Sequence, residues 1–138
     1  MEFIEDVIGV RTNKRCDLID ITVDVKEFVS KTAIVSGTCT VFCPHTTAGI
    51  TINENADPDV IHDVLLTLDD MIPANKPGYR HMEGNSDAHV KSSLVGASEQ
   101  ILIKDSKLIL GTWQGIYFCE FDGPRTRKVI LAVQGNHS

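Results

Sequence analysis

Between Arg80 and Lys91 the chain reads Arg-His-Met-Glu-Gly-Asn-Ser-Asp-Ala-His-Val-Lys, which sets two of its five histidines beside Glu83, Asn85 and Asp87. A third, His45, stands in Pro44-His45-Thr46-Thr47-Ala48-Gly49. Imidazole is the commonest metal ligand and titrates nearest neutral pH, so three histidines among turn-forming and polar residues point to a metal or acid/base site. His45, His81 and His89 could supply the three protein ligands of an open catalytic zinc site. Seven residues separate His81 from His89. That is not the i, i+4 spacing of a helical zinc motif, so only a folded loop could bring both rings to one centre. His45 could instead be a turn histidine bonded to backbone. His62 falls on an amphipathic helical pattern and His137 in the C-terminal tail; both are expected at the surface.

The carboxylates divide by context. Glu83, between His81 and Gly84, has no evident structural task. Asp87 could serve the site or only stabilise a helix N-terminus. Glu120 lies in the apolar run Ile116-Tyr117-Phe118-Cys119-Glu120-Phe121, so it faces either solvent or a lined cavity. If buried, its pKa should rise and suit proton transfer. Asn53 and Asn55 flank Glu54 and could cap a loop or bind a polar ligand. Trp113, the sole tryptophan, precedes Gln114. The pair could form a stacking wall with a hydrogen-bonding handle, or Trp113 could be a core residue. No Gly-rich phosphate loop, dinucleotide fingerprint or nucleophile elbow is present.

The elements that must position these residues alternate between strand and helix. Phe3 to Val10 alternates apolar and polar residues, as a half-buried strand does. Thr12-Asn13-Lys14 is a turn, and Cys16 to Ile19 returns as a short strand. Thr22 is expected to cap a helix reaching about Ser30, with Val25, Phe28 and Val29 on one face. Ala33 to Cys43 is β-branched and reads as a strand. Pro44 ends it, and Gly49 to Asn53 is expected to be its partner, with His45 to Ala48 near the turn. Asp57-Pro58 opens the clearest helix, an N-cap followed by proline at the first helical position. Pro73 stops it. The loop from Pro73 to Asn85 is longer than most connections, and such loops often carry function. Asn85 or Ser86 would cap a short helix to Val95. Beyond Ser98 come strands at Gln100–Lys104, Lys107–Leu110, Ile116–Phe121 and Lys128–Gln134, expected to form an antiparallel meander. The class is α+β: a mostly antiparallel, sandwich-like sheet core with about three helices, in one domain spanning residues 1–138.

Bulk properties exclude several functions. With 138 residues, 42% apolar and 23% charged, the chain has the size and composition of one globular domain. Its net charge of -6 argues against a basic nucleic-acid surface. The only basic cluster, Arg125, Arg127 and Lys128, reads as a solvated strand end. No apolar run approaches the ~20 residues of a membrane span. The acidic N-terminus lacks the features of a signal peptide, so a cytoplasmic location is expected. Cys16, Cys39, Cys43 and Cys119 lie in apolar runs and are expected to be buried thiols in a reducing compartment. Cys39 and Cys43 would sit ~13 Å apart along a strand, too far to bridge.

Four blocks together resemble the YjbQ family, also labelled secondary thiamine-phosphate synthases. They are His45-Thr46-Thr47-Ala48-Gly49 with Asn53-Glu54-Asn55; His81-Met82-Glu83-Gly84-Asn85-Ser86-Asp87-Ala88-His89; Leu110-Gly111-Thr112-Trp113-Gln114-Gly115-Ile116; and Glu120-Phe121-Asp122-Gly123-Pro124-Arg125. The resemblance covers nearly the whole chain. It implies a compact α+β subunit, a homotrimer, a polar pocket holding the histidines, and weak thiamine-phosphate synthase activity. That reaction joins a pyrimidine-methyl diphosphate to a thiazole phosphate and releases pyrophosphate. A diphosphate usually meets a metal ion or several basic residues. The chain is acidic, and a divalent zinc or magnesium ion on His45, His81 and His89 would repair the deficit. On this reading His81, Glu83, His89 and Glu120 are the catalytic candidates. Asn53, Asn85, Asp87, Trp113, Gln114 and Arg125 would hold a small-molecule substrate. No nucleic-acid or membrane partner is expected. A metal-dependent hydrolase of a small phosphorylated substrate and a non-catalytic ligand-binding trimer are the alternatives.

Overall fold

The computed structural model describes residues 1–138. Eight strands and three helices follow one another: β1 (Glu2–Arg11), β2 (Asp17–Asp20), α1 (Thr22–Thr32), β3 (Ser36–Phe42), β4 (Ala48–Glu54), α2 (Pro58–Met71), α3 (Ser86–Val95), β5 (Ser98–Lys104), β6 (Lys107–Leu108), β7 (Gln114–Glu120) and β8 (Thr126–Asn136). The strands form two antiparallel sheets, β1-β8-β3-β5-β6 and β2-β7-β4. The class is α+β, as the residue patterns implied.

Alternation explains why the sheets face each other. On β8 the inward set is Arg127, Val129, Leu131 and Val133; on β7 it is Ile116, Phe118 and Glu120. The apolar members join α1 residues Val25, Phe28 and Val29 in the main core. Each such side chain contributes about 1.5–3 kcal/mol when fully buried. The other face of β7 presents Tyr117 and Cys119, which pack with Leu18, Ala88 and Phe121 beneath the half-buried α2 residues Ile61, Val64, Leu65 and Leu68. Burial on both faces is why β7 reads as a continuous apolar run. No helix is long and apolar enough to cross a membrane.

Three expectations about pairing and capping need correction. β4 is not the partner of β3; it pairs with β7 in the smaller sheet. The C-terminal strands are not a meander. Only β5 and β6 form a hairpin, through Asp105 and Ser106 at positive φ, while β7 and β8 belong to different sheets. The pattern of side chains along a strand says which face is buried but not which distant strand lies beside it. At α1, Ile21 occupies the N-cap position, and Thr22 is already helical. The Thr22 hydroxyl accepts the Ile116 amide at 2.8 Å and donates to Asp20, tying α1 to β7 instead. Asp57 caps α2 as expected, accepting the Asp59 amide at 2.9 Å, with Pro58 opening the helix.

Candidate functional site: a polar histidine cleft

The segment before β4, the loop leading into α3, and the turn between β7 and β8 meet at one end of the sandwich. Between them lies a cleft of about 430 Å³. Its lining is Pro44, His45, Thr46, Thr47, His81, Glu83, Asn85, His89, Asp122, Arg125 and Arg127. The fold therefore brings His45, His81, Glu83, Asn85, His89 and Arg125 together. It also brings in Thr47, Asp122 and Arg127, which residue types and spacing alone did not single out as site residues.

His45 is held by backbone. The Lys128 amide donates to its Nε2 at 2.9 Å, so the proton of the neutral ring resides on Nδ1. Burial lowers its pKa and the nearby Arg127 guanidinium lowers it further, which keeps the ring neutral. Phe118 meets it edge-on at a centroid distance of 6.5 Å. His45 is thus both the backbone-bonded turn histidine and a wall of the cleft. Across the cleft, His81 and His89 stand perpendicular with centroids 5.3 Å apart. Glu83 Oε2 lies 3.8 Å from His81 Nε2, within ion-pair range but beyond hydrogen-bond reach.

The cleft floor is a buried ion pair. Glu120 is fully buried and Arg127 is 5% exposed. Glu120 accepts from Arg127 Nε and the Thr12 hydroxyl, both at 2.8 Å, and from the Asp122 amide at 3.1 Å. The second guanidinium branch donates to Glu120 Oε2 and to Thr47 Oγ1. Burial pushes the Glu120 carboxyl up, but these donors outweigh it and its pKa lies below the ordinary carboxylate value. The expected rise is therefore reversed: Glu120 stays ionised and positions Arg127. Arg127 is likewise no solvated strand end, because alternation along β8 turns it inward. Its neighbour Arg125 is exposed and donates to Asp122 Oδ2 at 2.9 Å. Asp122 also accepts from Asn85 Nδ2 at 2.8 Å. Burial raises its pKa, but the Asn85 and Arg125 donors more than offset that and hold it low. Asn85 occupies the N-cap of α3 without capping it, and its Oδ1 is buried with no partner.

No three His, Cys, Asp or Glu side chains are gathered closely enough to hold a metal ion. His45 also spends Nε2 on Lys128. The three histidines share a cleft but do not form the expected ligand triad within one subunit. Asp87 lies behind the cleft, fully buried, where Arg15 grips it with two hydrogen bonds of 2.9 and 3.0 Å and Lys91 approaches at 3.4 Å. It ties α3 to the segment before β2. His62 and His137 are both exposed as expected, and His137 also contacts the Ala33 carbonyl and Glu2. All four cysteines are free.

A family model described as "UPF0047 protein YjbQ-like" matches residues 6–136. The chain belongs to the YjbQ-like UPF0047 family. It is 56% identical over 128 residues to the UPF0047 protein YugU of Bacillus subtilis, covering 93% of this chain and 97% of that one. It is 54% identical over 127 residues to a UPF0047 protein of Methanocaldococcus jannaschii, covering 92% and 91%. Among solved structures, a YjbQ/UPF0047 protein of Clostridium acetobutylicum superposes with a TM-score of 0.92 at 54% identity, covering 94% of this chain and 99% of that one. A protein of unknown function from Sulfolobus solfataricus gives 0.94 at 31%, covering 98% and 99%.

The YjbQ-like motif blocks separate into two groups in space. The histidine blocks and the Asp122-Gly123-Pro124-Arg125 turn build the cleft. Asn53, Trp113 and Gln114 lie at the opposite end of the small sheet. Ala48 pairs with Glu120 at the cleft end, whereas Glu54 pairs with Gln114 at the far end. The intervening strand spans about 20 Å at roughly 3.4 Å per residue. Within one subunit these three residues do not line the cleft.

Proposed function

We propose that the cleft is the acid/base site of a small cytoplasmic transferase acting on phosphorylated heterocycles, with thiamine-phosphate synthase-like chemistry as the reaction. The observation that carries this is the lining: three imidazoles, Arg125 and the carboxylates Glu83 and Asp122 around a space of about 430 Å³, the size of a small-molecule site. In the reaction, the thiazole nitrogen lone pair forms a bond to the pyrimidine methylene carbon. The carbon–oxygen bond breaks, and its electron pair leaves on the diphosphate. Arg125, at the rim, offsets the anionic charge. His81 or His89 delivers a proton to the departing oxygen, with the Glu83 carboxylate within ion-pair range of His81. His45, neutral with its proton on Nδ1, serves as a hydrogen-bond donor. Glu120 acts indirectly, by holding Arg127. Zinc or magnesium does not fit the histidines of one subunit as a three-ligand site, so no step is routed through a metal.

The free thiols suit a reducing compartment, which favours the cytoplasmic location. We also assign a homotrimer. The apolar row Val7, Ile130 and Phe42, crossing the outer face of the large sheet, supports self-association.

The test is pyrophosphate release by purified protein supplied with both substrates. Replacing His81 or His89 by Ala should lower turnover by about 10²-fold or more, the usual contribution of a general acid, without changing circular dichroism or assembly. Full activity in both variants overturns the assignment. Phosphate release without the thiazole partner, abolished by chelator, would identify a metal-dependent hydrolase. No turnover with either substrate set would favour a ligand-binding protein.

A further inference from the structure

Trp113 is 63% exposed, yet its loop is well braced. Its carbonyl accepts the Asn55 amide at 2.9 Å, and Gln114 Oε1 accepts the Gly111 amide at 2.7 Å. Gly115 leaves no room for a side chain, since an added Cβ would meet Asn55 Nδ2 at 2.6 Å. A braced loop therefore presents a large indole to solvent, and tryptophan is among the residues most enriched at the energetic centres of protein interfaces. The cleft shows the complementary lack. Its lining contains no Val, Ile, Leu, Met, Phe, Tyr or Trp, whereas sites for heterocycles are mostly apolar with a few polar groups. Trp113 is about 20 Å from its own cleft and cannot fill that gap. Charge divides along the same axis. Exposed Asp20, Asp57 and Asp59 stand near the tryptophan end; at the cleft end Arg125 is paired with Asp122, and exposed Arg11 and Lys128 outnumber exposed Glu83.

We propose that the Trp113 loop of one subunit docks at the mouth of the histidine cleft of a second copy, head to tail, and supplies its aromatic wall. A second copy is the occupant because the acidic and basic ends complement each other. Such a contact joins two different surfaces, and it closes into a ring when the rotation between subunits allows. Each ring then holds one composite site per subunit. The inference rests on the cleft being the functional site, but its test uses no activity.

In the full chain Trp113 is replaced by the photocrosslinking residue p-benzoylphenylalanine, and crosslinks are mapped by mass spectrometry. The expected result is links between chains from position 113 to residues 44–47, 81–89 or 122–128. Absence of interchain links, or links confined to residues 53–61 of the neighbour, overturns the proposal. The unaltered protein gives a second reading, because Trp113 is its only tryptophan. Its emission should resist acrylamide at assembled concentrations and lose that protection on dilution to monomer. Quenching as fast as free N-acetyltryptophanamide at every concentration would likewise overturn it. If thiamine substrates are not turned over but the crosslinks form, the catalytic reading fails and the composite site stands.

Discussion

Removing the Glu120 carboxylate should be among the most damaging single changes in this protein. Glu120 is fully buried and its partner Arg127 nearly so. In Glu120→Ala the guanidinium keeps one side-chain partner, the Thr47 hydroxyl at 2.9 Å, and remains out of water with its charge uncompensated. The Thr12 hydroxyl and the Asp122 amide lose an acceptor at the same time. Breaking one side of a buried pair costs about 3–5 kcal/mol. At roughly 3–5 °C per kcal/mol for a chain of this length, Tm should fall by about 10–20 °C. Arg127→Met should cost a similar amount by stranding the carboxylate. The double variant Glu120→Leu with Arg127→Met leaves no unpaired charge. It should cost clearly less than the sum of the two single variants, because no charge is left stranded, although Thr12, Thr47 and the Asp122 amide still lose a partner. Urea unfolding at one fixed protein concentration measures all three, with an unchanged m-value confirming that only stability moved. Single-variant costs under about 1 kcal/mol, or a double-variant cost equal to the sum of the singles, would refute the reasoning.

Four further outcomes follow from the same contacts. Asp87, Glu120 and Asp122 all titrate below their ordinary values in the folded state. Their stabilisation is complete above the unfolded values and lost as pH falls through the folded ones. The urea midpoint should therefore drop between about pH 5 and pH 2, and a flat profile there would contradict the pairing. Asp87→Ala takes two hydrogen bonds from Arg15 and the 3.4 Å contact from buried Lys91, which keeps Asp69 at 2.5 Å; it should cost about 1.5–3 kcal/mol. Lys91→Met leaves Asp87 gripped by Arg15 and should cost less, so the reverse order would be inconsistent with the network. Gly37→Ala would place a Cβ 2.1 Å from the Gln134 carbonyl in the β3–β8 ladder. It should destabilise by at least the roughly 1–3 kcal/mol typical of overpacking, seen as a lowered Tm. Long-range ¹⁵N–¹H spectra should show His45 as the Nδ1–H tautomer throughout the neutral range; an Nε2–H ring would contradict the Lys128 bond.

Much of the scaffold was legible because it is written in neighbouring residues. Asp57-Pro58 starts α2 through one side-chain acceptor and one preset φ, and Asp105-Ser106 turns the chain between β5 and β6. Alternation located most strands to within a few residues. The same alternation also marks the buried ion pair. Arg127 shares a strand face with Val129, Leu131 and Val133, and Glu120 with Ile116 and Phe118. Two opposite charges set inward on apolar strands are a buried pair, and neither a solvated arginine nor an isolated carboxylate was to be expected there. The Arg15–Asp87 bond had no comparable signal, since the partners lie 72 positions apart in the sequence.

Residue chemistry alone specified an α+β chain with histidines concentrated in two short segments, because capping, turn preference and side-chain period act over a few residues. Which strands lie side by side depends on how apolar faces pack across the whole chain. Tertiary structure therefore assigned β4 to β7, joined His45 to His81 and His89, and carried Trp113 to the other end of the sheet. It also converted Glu120 from a candidate acid into an ionised anchor. A carboxylate inside apolar sequence rises in pKa when alone and falls when a guanidinium meets it, and only the fold determines whether one does.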